Sequence, residues 1–145
     1  MKYYLAYGMN TNLREMAYRC PNAECLGQVL LPNHKFVFRH YADIEPCQGE
    51  DVVGVLWRIT PECERALDLL EGYPIYYEKK EVIVETFDNE DINGMTNFVA
   101  MVYYMTDQTT TYTPSKRYYD CLIEGYNANN ISTQQINQAI EHINV

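Results

Sequence analysis

Apolar runs of bilayer length are missing from this 145-residue chain, and so is any surplus of positive charge. The 11 Lys and Arg stand against 20 Asp and Glu, a formal net charge of −9. A nucleic-acid or anionic-membrane surface would repel such a protein, so neither is expected as a partner. No stretch has the apolar core of a secretory signal, since Met1-Lys2 runs directly into the alternating Tyr3-Tyr4-Leu5-Ala6. Repeats, low-complexity tracts and clear linkers are also lacking, and one domain over residues 1–145 is expected, long enough to bury a core without staples. The five cysteines, Cys20, Cys25, Cys47, Cys63 and Cys121, are odd in number and scattered. Without an export signal they read as reduced thiols of a cytoplasmic protein.

Histidine is scarce, at three residues, which leaves little for a Ser-His-Asp or Cys-His hydrolase. Cys20, Cys25, His34 and His40 have a faint zinc-like spacing, but the Cys pair is wider than the common two-residue gap and the histidines fall on an expected hairpin. No metal and no cofactor are expected. Cys47 and Cys121 belong to no nucleophile motif and read as buried thiols. What the chain does have is tyrosine, 14 in all, a side chain with an apolar ring and a polar tip. Such rings suit the wall of a small polar-ligand pocket, and equally suit ordinary strands.

Residues 2–6 read as a strand stopping at Tyr7-Gly8, and Asn12 with Glu15 resembles a capping box for a short helix over about 12–18. Apolar segments at about 26–31 and 35–40 flank Pro32-Asn33 as a hairpin. A strand is expected from Asp51 through Trp57, and Thr60-Pro61 caps and opens a helix ending near Leu70. From Tyr77 the strand pattern returns, turns in the polar stretch 88–94 and comes back through Tyr104. Pro114 opens a helix toward Tyr126, and Ser132 with Gln135 caps a last one to about 143. Strands in the middle and helices at the end predict an α+β domain.

Two places carry chemistry. Glu71 ends an apolar helical face and is followed at once by the helix-stopping Gly72 and Pro74. If buried, its pKa would rise toward that of a general base at neutral pH; otherwise it is an ordinary last-turn residue. Asp68, three residues earlier on the same side, either pairs with Glu71 or, the favoured reading, serves structure. The loop Tyr7-Gly8-Met9-Asn10 leaves a strand for a capped helix, so its backbone N–H groups can converge on an oxygen that becomes negative, or simply make a turn.

The order of three motifs, YYLAYGMN at 3–10, ALDLLEGYPIYY at 66–77 and TPSKRYYDCLIEGYNANNI at 113–131, resembles the gamma-glutamylcyclotransferase superfamily. The resemblance implies a small mixed β-barrel with flanking helices, and cyclisation of a γ-glutamyl group to 5-oxoproline with release of an amine. It implies Glu71 as the catalytic base and proton donor. Tyr7, Gly8, Met9 and Asn10 would cradle a small γ-glutamyl substrate, with Tyr76 or Tyr77 and Tyr118 in the pocket. No cofactor is implied. Met9 departs from the family pattern, which usually has Ser there. The competing expectations are a non-catalytic ligand-binding or regulatory module on the same scaffold, and a structural protein with Glu71 away from any cavity.

Overall fold

A computed structural model describes residues 2–87 and 90–143. Five strands, β1 (Lys2–Ala6), β2 (Glu24–Phe38), β3 (Ala42–Ile59), β4 (Tyr77–Thr86) and β5 (Asn97–Met105), close into a barrel in the order β1-β3-β2-β4-β5. Every pairing is antiparallel except the β1–β5 seam, which is parallel and joins Tyr3 to Ala100 and Tyr4 to Met101. The helices α1 (Leu13–Arg19), α2 (Pro61–Glu71), α3 (Lys116–Ala128) and α4 (Gln134–Ile143) flank it, with a single 3-10 turn at Met9–Thr11 between β1 and α1. The expected α+β barrel with flanking helices is therefore the observed one.

Local signals account for the helix ends. The Asn12 side chain accepts from the N–H groups of Arg14 and Glu15, and Thr60 accepts from Cys63 N, so both α1 and α2 start where capping residues stand. Gly72 stops α2 in the left-handed region at φ 70°, its N–H turned back to the last carbonyls. The β4–β5 turn uses Asn93 and Gly94, both at positive φ, between the bridged Ile92 and Met95. Part of this expected turn, Asp88 and Asn89, lies outside the described residues.

Five expectations need correction. Pro32-Asn33 is not a hairpin, because β2 runs on through it. Asn33 at φ 59° makes a bulge, accepting from Gly49 N–H through its side chain, and pairing resumes with His34 opposite Pro46. Both primed turns of a two-residue hairpin need positive φ at the first central position, which Pro32 excludes, so the strand bends and continues. The reversal comes at Arg39–Tyr41, and β3 accordingly begins at Ala42, not at Asp51. Pro114 does not open α3; Ser115 is its cap, accepting from Tyr118 N–H, and the proline precedes it. Ser132 bonds Gln134 N–H, but the Gln135 amide turns away from the cap to bond Val53 N–H, Val53 C=O and Tyr126 OH. An open strand backbone outcompetes the capping box for it. Finally, Cys20 and Cys63 are a disulfide, with Cα atoms 5.2 Å apart, so the cysteines are not all reduced. The end of α1 lies beside the first turn of α2, a proximity that a separation of 43 residues conceals. Cys25, Cys47 and Cys121 are free. No described helix is long and apolar enough to cross a membrane.

The core fills the barrel and the groove beneath the helices, with Leu5, Leu56, Phe38, Phe98, Leu67 and Tyr126 essentially inaccessible. Each such side chain contributes about 1.5–3 kcal/mol by burial. Helix α3 comes closest to the 3-10 turn at Gly125, where an added Cβ would strike the Thr11 side chain and lie 2.7 Å from Asn12 N. Gly125→Ala is therefore expected to destabilise the protein by about 1–3 kcal/mol despite the better helix propensity of alanine. Urea denaturation measures this, and an unchanged midpoint would mean that α3 moves off the turn freely.

Candidate active site

Strand β1 delivers Tyr7 and the 3-10 turn to one end of the barrel, and α2 delivers Glu71 to the same place. A cavity of about 960 Å³ opens between them, and every residue nominated from the sequence lines it: Glu71, Tyr7, Gly8, Met9, Asn10, Tyr76, Tyr77 and Tyr118. The turn is held on all sides. Tyr7 OH donates to Tyr103 C=O at 2.6 Å, and Tyr7 C=O accepts from Tyr126 OH at 2.6 Å. Asn10 donates from Nδ2 to Tyr4 OH at 3.0 Å, accepts Arg19 at Oδ1 at 2.7 Å, and accepts the Trp57 indole N–H at its carbonyl at 3.1 Å. Gly8 is packed so closely that a Cβ would lie 3.1 Å from Ala42 Cβ and 3.3 Å from Tyr118 OH.

Within that turn, Thr11 and Asn12 N–H donate to the carbonyls of Gly8 and Met9. Met9 and Asn10, as the first residues of a 3-10 turn, have no carbonyl one turn back for their own N–H groups. Both residues line the cavity. Met9 itself sits against Arg19, whose Nη2 donates to its sulfur at 3.0 Å.

Glu71 is a partly buried residue whose carboxylate makes no hydrogen bond and no ion pair among the described residues. Desolvation pushes its pKa up to about 7, and the nearby Arg19 guanidinium offsets only part of the rise. Asp68 plays no part in this shift. Its carboxylate accepts Tyr103 OH at 2.6 Å and pairs with Lys79 at 3.0 Å, the structural role favoured for it. Burial likewise raises the phenols of Tyr7, Tyr77 and Tyr118, so these are neutral hydrogen-bonding groups.

The two adjacent tyrosines differ. Tyr77 is buried, its OH donating to Ala42 C=O at 3.0 Å, whereas Tyr76 stands exposed at the mouth with its ring over Gly72. Tyr118 OH accepts from Ala42 N–H at 3.1 Å, which leaves its own proton to donate. Sequence reasoning missed Tyr4, Arg19 and Tyr103, all lining the cavity. The signal for Arg19 was a basic residue in the last turn of the helix that follows the loop; Tyr4 and Tyr103 are strand tyrosines like several others. The cysteines and histidines considered for a metal are dispersed, with Cys20 in the disulfide, His34 against Pro32 C=O, and His40 stacked on Tyr112 at 4.3 Å.

A closed mixed barrel holds an unpaired, desolvated carboxylate beside a rigid turn, an arrangement able to move a proton on a small molecule in the cavity. Residues 4–120 match the profile of the family described as gamma-glutamyl cyclotransferase, AIG2-like, and the chain belongs to that family. Its fold is similar to that of a solved gamma-glutamyl cyclotransferase, at TM-score 0.82 and 22% identity over 95% of this chain and 85% of the other. An uncharacterised protein from Homo sapiens is similar at TM-score 0.82 and 23% identity, again over 95% and 85%. YkqA from Bacillus subtilis is similar at TM-score 0.77 and 20% identity, over 99% of this chain and 54% of that one. No curated protein matches the sequence significantly.

The raised Glu71 pKa has a measurable consequence. The folded protein holds a proton up to about pH 7, whereas the unfolded chain releases it near 4.5, so the contribution of Glu71 to stability is lost as pH rises across that window. Glu71→Gln should match wild type at pH 4 and exceed it by about 1–3 kcal/mol at pH 8. Urea denaturation at both pH values tests this, and a difference independent of pH would mean that the carboxylate is not desolvated.

Proposed function

We propose that this protein is a γ-glutamyl cyclotransferase that releases 5-oxoproline and an amine from a small γ-glutamyl substrate. The observation that carries the reading is the unpartnered Glu71 carboxylate, with its pKa near 7, in the same cavity as the Met9–Asn10 turn. Ionised Glu71 takes a proton from the substrate's α-ammonium. The free amine attacks the γ-carbonyl carbon of the same molecule, forming the ring C–N bond and placing the electron pair on the carbonyl oxygen. The N–H groups of Met9 and Asn10 stabilise that oxyanion. The oxyanion then collapses, the original amide C–N bond breaks, and the leaving nitrogen takes the proton back from Glu71; the freed carboxylate accepts the second proton of the ring nitrogen and passes it to the amine, which departs as an ammonium ion. Atoms and charges balance without an external nucleophile, because the attacking group belongs to the substrate and needs only to be held bent.

The cytoplasm is the compartment we propose, a reading supported by the free thiols of Cys25, Cys47 and Cys121; the Cys20–Cys63 bond weighs against it. A second reading, a ligand-binding module without turnover, is favoured by one observation. Met9 fills the position where the resembling family carries Ser, and its sulfur is engaged by Arg19.

Incubation with a panel of γ-glutamyl amides should release 5-oxoproline, with kcat/KM rising with pH to a plateau and a midpoint near 7. Glu71→Gln should keep the fold and lower turnover by at least about 100-fold. Retention of near-wild-type turnover in that variant removes Glu71 from the mechanism, and binding without any turnover in the wild type selects the second reading. Met9→Ser should retain or raise turnover, since the backbone N–H is the group in use. Complete loss in Met9→Ser would assign the Met9 side chain a specific role.

A further inference from the structure

We infer that the mouth of the Glu71 cavity is a leaving-group subsite for a bulky, uncharged, apolar amine, so that the substrate is an alkyl or arylalkyl γ-glutamyl amide. The inference rests on the reaction proposed above and concerns the half of the substrate that departs.

The cavity has two kinds of wall. Its floor is polar, formed by the Glu71 carboxylate, Asn10 and the buried tyrosines, groups that match the zwitterionic glutamyl half. Its rim is apolar and exposed: Leu69 is 85%, Tyr76 69%, Tyr41 55% and Leu70 47% accessible, and all four line the cavity. Of the 12 large apolar side chains exposed among the described residues, these four share one mouth, and two more, Tyr73 and Ile75, lie in the same short segment. Single exposed apolar residues are ordinary, but a cluster around a cavity marks a surface that is covered when the site is filled.

Charge narrows the choice. Arg19 is the one guanidinium among the described lining residues, and it is committed to Asn10, Met9 and Glu15. A γ-glutamyl amino acid carries a second carboxylate on its leaving half. That carboxylate would lie against an apolar rim without a free guanidinium or ammonium, where the one imidazole, His40, is stacked on Tyr112, and on a protein of net charge −9. A cationic leaving half would instead pair with Glu71, the sole carboxylate among the described lining residues, and occupy the base. An uncharged amine avoids both conflicts. When the amide C–N bond breaks, that nitrogen takes the Glu71 proton and the amine leaves across Leu69 and Tyr76 into water.

The test compares N-γ-glutamylphenethylamine, γ-glutamylalanine and Nε-γ-glutamyllysine. The first should have a kcat/KM at least about tenfold above either of the others, the discrimination an apolar pocket gives. The double variant Leu69→Ser, Tyr76→Ser should bring that ratio down toward one. Equal or better turnover of either charged substrate overturns the inference and leaves the reaction standing. Failure of all three to give 5-oxoproline counts against the reaction. Calorimetric binding to the unmodified protein then decides the subsite: tighter binding of the phenethylamide by a similar margin upholds it, and equal affinities overturn it. A concentration-dependent dimer that Leu69→Ser abolishes would assign the rim to self-association and overturn it as well.

Discussion

A carboxylate without a partner is the constraint around which this fold is arranged. Holding Glu71 at about 7 instead of 4.5 costs the ionised form at most about 3 kcal/mol, a large share of the stability of a small domain. The protein tolerates this because α2 is anchored at both ends. Thr60 and Pro61 fix its start, the Cys20–Cys63 bond ties its first turn to α1, and Gly72 stops it with Glu71 as its last residue. Of the phenols lining the cavity, Tyr103 is occupied elsewhere, donating to Asp68.

The opposing half of the site is rigid for a different reason. Asn10 spends its side-chain amide on Tyr4 and Arg19 and its carbonyl on Trp57, so the turn is fixed from the barrel wall, from α1 and from β3 at once. Tyr126 reaches across from α3 to hold Tyr7, and Gly125 beside it lets that helix lie against Thr11. Fixed dipoles of this kind stabilise developing charge without having to reorganise, which is the advantage of placing them on regular elements and not on a free loop.

Much of this was readable beforehand wherever the determinant is local. Asn12, Thr60 and Gly72 act on their own neighbours, so α1 and α2 have the ends that the residues announce, and the alternation around Trp57 and Val84 marks strands that are indeed half-buried or buried. Glu71 and the Tyr7–Asn10 turn could be named together only through the order of three motifs, because nothing local says that they meet. Readings failed where a distant partner decided the outcome. Asn33 reads as a turn until Gly49 N–H is seen to donate to its side chain in a bulge; Gln135 reads as a cap until the backbone of Val53 is near it; Cys20 and Cys63 carry no mark of each other. Arg19 and Tyr4 went unnoticed because a basic helix end and a strand tyrosine are common, and only the cavity distinguishes them.

The parallel seam between β1 and β5 joins residues nearly a hundred positions apart through just two register pairs, Tyr3 with Ala100 and Tyr4 with Met101. Contacts of such long range carry a large loop-closure cost. Tyr4 belongs both to that seam and to the floor beneath Asn10. Opening that seam alone would free Tyr4 on one side and loosen one of the anchors of Asn10, while β1 stays paired to β3. Closure of the sheet and rigidity of the Met9–Thr11 turn therefore share one residue, so whatever loosens the weakest edge of the barrel also slackens the wall of its cavity.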